Sequence, residues 1–434
     1  MVNKRFLIVS LSLAVLIVLS AALVEGVGAQ SPTLTPKQAL GKAMYFDTNL
    51  SINENMSCAT CHGPDVGWTG PNEMINLTGS VYQGSIPGRY GNRKPPSAAY
   101  AATSPILHFS RQGGGTWIGG NFWDGRATGM VLGNPAADQA QGPPLNPLEA
   151  ANPDFACVIW KVCTATDYPV SFEEVWGNQT CNINWPEDIA VTCATEGTTV
   201  ELSDADRMQV STDYNYFGLS IAAFEASPEV NAFSSKWDYA RRGEAKLTAQ
   251  ERRGMALFEG KGKCARCHVA DGQQALFTDY TYDDLGIPKN PENPFYTELA
   301  FNPLGEDWID LGLGGYLMSV GFDEWIYEPE IGAFKVPTMR NVDLRPSPDF
   351  VKAYSHNGWF KSLWSIVHFY NTRDVLPTCP GEYTEAQALA ENCWPAPEEG
   401  ENINTKEIGN LGLTLEEEEA IVAFLKTLSD GYIP

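Results

Sequence analysis

Histidine is scarce in this sequence: five occur in 434 residues, at positions 62, 108, 268, 356 and 368. Any metal chemistry resting on imidazole must therefore be done with few ligands. Positive charge is also short, with 29 lysines and arginines against 53 acids and a formal charge of −24. Such an acidic chain repels nucleic acid and anionic lipid and attracts basic partners, although the same charge also simply keeps an exported protein soluble. After the first thirty residues no stretch is apolar enough to cross a bilayer. Methionine is absent from 340 to the C-terminus, which removes a common soft iron ligand from that region. Long periodic runs are few, and much of the chain between its landmarks is rich in Gly, Pro and Asn.

What is present begins with an export pattern. Lys4 and Arg5 precede an apolar run from Phe6 to Val24, and Val27-Gly28-Ala29 supplies small residues before Gln30. This predicts a signal peptide over 1–29, with an uncleaved anchor as the lesser alternative, and places the protein in the periplasm or otherwise outside the cytoplasm. Removing 1–29 takes away two positive charges and one negative, leaving −25. The length allows two domains, each with its own core.

Ten cysteines fall into two kinds. Four lie in C-A-T-C-H (Cys58, Cys61, His62) and C-A-R-C-H (Cys264, Cys267, His268); the others are Cys157, Cys163, Cys181, Cys193, Cys379 and Cys393. In an exported chain those six invite disulfides. Short loops close most readily, which predicts pairs 157–163, 181–193 and 379–393. C-x-x-C-H is the attachment pattern for c-type haem, in which the thiols bond the porphyrin and the histidine binds iron. Cys and His are too rare here for two matches by chance. A zinc site would need its two C-x-x-C pairs some fifteen to twenty residues apart, not about two hundred. Two covalent haems are the expectation.

The surroundings of the motifs repeat. L-T-P-K-Q-A-L-G-K-A-M-Y (34–45) and L-T-A-Q-E-R-R-G-M-A-L-F (247–258) align without a gap. Each opens with a helix cap, Thr35 with Gln38 and Thr248 with Glu251. A third cap, Thr414 with Glu417, begins a helix whose Ile421, Phe424, Leu425 and Leu428 form one core-facing stripe. The expected fold is mainly α: two tandem cytochrome c-like haem domains with long loops. Residues 151–200 carry four cysteines and little helical pattern, and read as a disulfide-rich insertion; 286–335 reads as loops with short strands. On the helix after H-N-G (356–358), Leu363, Ile366, Val367 and Tyr370 recur as a buried face, so Tyr370 points inward and His368 largely away.

These motifs, with F-W-D-G-R-A, Q-A-Q-G-P-P-L-N-P-L-E and F-K-V-P-T-M-R-N-V, run in the order found in the bacterial di-haem cytochrome c peroxidases, a family that includes the MauG-type enzymes, and the chain resembles that family from about 34 to 430. The resemblance implies a peroxidatic N-terminal domain (30–240, insertion 151–200) and an electron-transfer C-terminal domain (241–434). It implies His62 and His268 as the proximal ligands. Gln139 and Glu149 would stand on the open side of the first haem, Glu149 as acid/base and Gln139 holding peroxide or water, and Trp123 would relay electrons. Tyr370 would be the sixth ligand of the second haem, with His356 as its hydrogen-bond partner. Arg126 is given a salt bridge or a haem propionate and no catalytic role. Six extra residues, about Gly133 to Asp138, precede Gln139, and the distal histidine of many peroxidases, in the loop before Pro95-Pro96-Ser97, is missing. A calcium ion between the domains is usual in the family. The corresponding stretch here, R-P-S-P-D-F-V-K-A-Y-S-H (345–356), is altered and lengthened, so no calcium ligands are assigned.

The implied activity is reduction of hydrogen peroxide to water, with electrons from a small, basic donor such as a cytochrome c or cupredoxin; a homodimer is allowed, and nucleic acid is not a partner. Two alternatives share the motifs. One is a MauG-type oxidase acting on a protein substrate through high-valent iron. The other is an electron-transfer cytochrome in which His108 or another side chain closes the first haem.

Overall fold

Helix caps and one repeated close contact build both halves of the molecule. The computed structural model describes residues 33–112, 115–166 and 168–434; the expected signal peptide lies outside them. Thr35, Thr248 and Thr414 each cap a helix with a reciprocal box, at Pro36–Phe46, Ala249–Glu259 and Leu415–Lys426. Each box satisfies two amide donors that the first turn leaves free.

Pro36–Phe46 packs on the long helix Asp204–Glu225, and Ala249–Glu259 packs on Leu415–Lys426. The two crossings match in detail. Gly41 and Gly254, equivalent in the aligned repeats, sit where a Cβ would overlap the carbonyl oxygen of Ser220 and of Ala420 respectively. Four residues further along each partner helix a phenylalanine closes the contact: Phe224 meets Tyr45 edge-on at 5.4 Å, and Phe424 meets Phe258 at 5.3 Å. Glycine at the crossing lets the backbones touch, and the aromatic pair fills the space beside it.

Two large apolar clusters result. One contains Leu40, Met44, Tyr45, Phe217, Ile221 and Phe224; the other contains Phe258, Phe277, Phe369 and the Ile421, Phe424, Leu425 and Leu428 stripe. Residues Leu34–Pro434 nevertheless form one compact unit. Arg340 is fully buried, paired with Asp238 at 2.6 Å and ringed by Tyr100, Phe233, Trp237 and Phe277. Strand is minor: the described residues hold the antiparallel pairs His108–Ser110 with Thr116–Ile118 and Tyr282–Asp283 with Phe334–Lys335.

Three expectations are corrected. Residues 151–200 are not devoid of helix: Phe155–Thr164, Tyr168–Trp176 and Ile189–Cys193 are helical, and Ala156, Cys157, Val158, Ile159 and Val162 lie in the first cluster. The segment 286–335 holds a further helix, Gly312–Ser319. The disulfides are Cys157–Cys193, Cys163–Cys181 and Cys379–Cys393, so 157–163 and 181–193 are wrong. Cys157 and Cys163 share one helix, and six residues of helical rise separate them by about 9 Å, beyond the reach of a disulfide.

Candidate functional site

Both C-x-x-C-H motifs fold as a single tight turn, Cys58–Cys61 and Cys264–Arg266. In each the histidine amide returns to the first cysteine carbonyl, His62 to Cys58 and His268 to Cys264, at 2.9 Å. The turn thus presents two thiols and an imidazole from five residues. These four cysteines are unpaired, whereas the other six form disulfides. Burial pushes the Cys58 and Cys264 thiols up to about 12, so they stay neutral.

Each imidazole is oriented by a carbonyl. His62 Nδ1 lies 2.9 Å from Pro96 O and 3.3 Å from Trp68 O, and His268 Nδ1 lies 3.0 Å from Phe277 O. A carbonyl only accepts, so Nδ1 carries the proton and Nε2 keeps its lone pair for a metal. Burial, the largest influence, lowers His62 to about 4 and also lowers His268. Both rings are neutral, the form that binds iron. Open thiol pairs with a neutral, carbonyl-braced histidine fit the attachment of haem at both places.

A cleft of about 1820 Å³, including its open mouth, surrounds the first motif. Cys58, Cys61 and His62 line it together with Trp123, Gln139, Pro143 and Glu149. Gln139 is in the last turn of helix Pro135–Ala140, which the extra residues before it build and Asn134 caps. Glu149 ends a turn in which its amide donates to Asn146 O at 2.9 Å and Asn146 Nδ2 donates to its Oε1 at 3.0 Å. Burial raises the Glu149 carboxyl above its ordinary range, against the opposing Arg126 charge and the Asn146 bond. Arg126 pairs with Asp124 at 2.7 Å and lies over the Phe122 ring. Trp123 is fixed at both ends: its indole donates to Lys94 O at 2.8 Å, and its carbonyl accepts from Lys335 N at 2.8 Å. His62 is the one histidine lining the cleft. His108 is exposed on the His108–Ser110 strand.

Helix Leu363–Thr372 separates its two candidate ligands. Tyr370 is partly buried against the second cluster, as are Cys264 and Ala265. Burial raises its hydroxyl, and the nearness of the Cys264, Asp283 and Cys267 side chains raises it further, which sets the ring beside the second motif. His368 stacks on Trp364 and holds Glu418 of the closing helix through Nδ1 at 3.0 Å. The expected bond from His356 to Tyr370 is not among the described contacts. His356 stacks on Phe334 at 3.5 Å, and its Nε2, without a hydrogen bond, is 3.6 Å from Glu398.

Sequence reasoning missed Glu225. It lines the cleft with 4% of its surface exposed, and burial pushes it up to about 8. Its signal was an acid four residues after Ile221 on a helix that also buries Phe217 and Phe224.

The family model described as di-haem cytochrome c peroxidase matches residues 35–246. The methylamine utilization protein MauG of Paracoccus denitrificans is 32% identical over 405 residues, covering 90% of this chain and 88% of that protein. The chain belongs to the di-haem cytochrome c peroxidase and MauG family. It is accordingly an oxidoreductase whose family carries haem. The cytochrome-c peroxidase IdrP1 of Denitromonas iodatirespirans is 25% identical over 93% of this chain and 84% of that one. Among solved structures, the diheme peroxidase BthA of Burkholderia thailandensis superposes with a TM-score of 0.70 at 27% identity, covering 92% of this chain and 87% of that chain. Among the described residues no helix is long and apolar enough to cross a membrane.

Proposed function

We propose that this family member is an exported peroxidase that reduces hydrogen peroxide to water in the His62 cleft. Electrons arrive through the second motif and Trp123 from a small, basic redox protein. One observation carries the reading: Glu149, Gln139 and Trp123 line the same cleft as His62, and no second histidine lines it. Cys58, Cys61 and His62 would hold one haem covalently, and Cys264, Cys267 and His268, with Tyr370, the other. Bound there, haem supplies the metal that takes up peroxide and the path for electrons.

The side chains manage the protons. Peroxide reduction consumes two electrons and two protons per molecule and yields two waters. Glu149 takes a proton from the inner peroxide oxygen and returns it to the outer one, which leaves as water. Its raised proton affinity suits both halves of that exchange. Gln139 holds the peroxide or a water by its amide. Trp123, pinned at ring and carbonyl, is the relay between the two sites. Three disulfides fit an oxidising compartment outside the cytoplasm.

Tyr370 beside the second motif favours a second reading. A phenolate ligand stabilises oxidised iron, which suits a MauG-type enzyme that stores oxidising equivalents for use on a protein. Peroxide-dependent oxidation of small electron donors separates the two. Steady turnover that is lost in Glu149→Gln supports the peroxidase. Peroxide consumption without donor turnover supports the protein oxidase. A resting EPR spectrum with both haems low-spin and indifferent to cyanide contradicts both.

A further inference from the structure

The stretch 345–356, where the family resemblance would put calcium contacts, contains a buried lysine. Lys352 is 3% exposed, and its Nζ donates to three backbone carbonyls: Val66 at 2.8 Å, Leu344 at 2.9 Å and Asn341 at 3.0 Å. Val66 belongs to the loop just after His62, whereas Asn341 and Leu344 come from the C-terminal half. An ammonium has three donors and no lone pair, so three carbonyls satisfy it completely. A neutral amine would turn its lone pair on one of them. The spacings are those of N–H···O bonds, longer than the ~2.3–2.6 Å of calcium to oxygen. The surrounding charge is also wrong for a divalent ion. Lys94, 7% exposed, stands behind, donating to Thr69 Oγ1 at 2.8 Å and Pro95 O at 2.9 Å. Burial, then the Lys94 and Arg345 charges, pull the Lys352 proton affinity well below the ordinary lysine range, with Asp343 opposing; the three carbonyl acceptors around one Nζ favour the ammonium against that pull. The residues present do not fit calcium.

The lysines act on the peptide groups around His62. Lys352 fixes Val66 O, two residues before the Trp68 carbonyl that meets His62 Nδ1. Lys94 fixes Pro95 O, next to the Pro96 carbonyl that meets the same nitrogen. Gly67 lies so close that a Cβ there would be 2.7 Å from Asn341 O and 3.4 Å from Lys352 Nζ. We propose that the Lys352 ammonium, backed by Lys94, serves this chain as a built-in cation between its halves in place of a calcium ion, and holds the loop that orients His62. Lys352 is then a positioning residue for the first haem site. The inference rests on His62 as an iron ligand and not on which donor or substrate the enzyme uses.

The test uses purified holoprotein. Calcium content by mass spectrometry is expected far below one per chain, and EGTA should leave the EPR spectrum unchanged. Lys352→Met keeps the bulk and removes the donors; three stranded carbonyls should lower the thermal midpoint by about 5 °C. It should also alter the EPR and the ligand-field bands of the first haem while those of the second stay as in wild type. Stoichiometric calcium whose removal changes the spectrum would overturn the inference, as would wild-type first-haem spectra in Lys352→Met. Should that variant not accumulate, Lys352→Arg decides with the chelation result, because guanidinium cannot place three donors at one point and must move the first-haem signals. These readouts do not depend on peroxidase turnover, so failure here and failure of the peroxidase reading are distinguishable.

Discussion

Replacing Glu149 by glutamine removes the proton-transfer group and little else. Asn146 Nδ2 donates to Oε1 at 3.0 Å, a bond that the glutamine amide oxygen can keep, so folding stability should change by less than ~0.5 kcal/mol. The catalytic loss is far larger. A positioned acid/base contributes about 10²–10⁴ in rate, or ~2.7–5.4 kcal/mol at 1.36 per decade. The upper part of that range is expected, because burial already holds the Glu149 proton more tightly than usual. Aspartate at 149 keeps the charge but retracts it by one methylene, and a displacement of ~1 Å can cost roughly 10², so Glu149→Asp should fall between wild type and Glu149→Gln. The pH profile gives a second signature. The base form is needed to accept the first proton, so activity should rise with pH through a value above 4.5, and that limb should flatten in Glu149→Gln. The assay is peroxide-dependent oxidation of a small donor, normalised to haem content. Wild-type kcat/KM with full haem loading in Glu149→Gln would refute the role.

Three further predictions follow from the same geometry. Tyr370→Phe should change the EPR and resonance Raman signature of the second haem alone; an unchanged second-haem spectrum would remove Tyr370 as a ligand. Glu225, raised from 4.5 to about 8 by burial, keeps its proton in the folded chain and loses it in the unfolded one at neutral pH. Its contribution to stability is therefore complete below about 4.5 and is lost as pH rises to about 8, amounting to at most ~5 kcal/mol. Denaturant midpoints from pH 5 to 8.5 should decline less in Glu225→Gln, and parallel curves would contradict this. Non-reducing peptide maps should recover 157–193 and 163–181. Removing Cys157 and Cys193 together, which frees a span of 36 residues, should cost about 3–4 kcal/mol in urea unfolding.

Legibility in the sequence tracked how local each determinant is. The caps at Thr35, Thr248 and Thr414 depend on residues three apart, and all three were readable. The Phe155–Thr164 helix was not, since only Lys161 and Thr164 break its apolar residues, and so short an apolar run reads equally as a buried strand. Gly312–Ser319 carries three glycines and reads as a loop. There packing outweighs propensity, because a Cβ at Gly314 would lie 2.5 Å from Ile331 N. Periodicity separated Tyr370 from His368, but both are partly buried and Phe369 between them is fully so; Glu418 of a helix fifty residues later takes the His368 Nδ1.

The sequence by itself placed two thiols and a histidine within five residues at two points of the chain, a local pattern that fits the haem its family carries whatever the rest of the chain does. It also set the repeated helix crossings, since Gly41 and Gly254 recur at one offset from their caps. Only the tertiary structure decided which side chains work together. Glu149, Gln139 and Trp123 line the His62 cleft from separate segments, Glu225 holds its proton because distant residues exclude water from it, and Lys352 meets three carbonyls from two halves. Proton affinity and hydrogen-bond satisfaction depend on neighbours in space, which residue spacing along a chain does not encode.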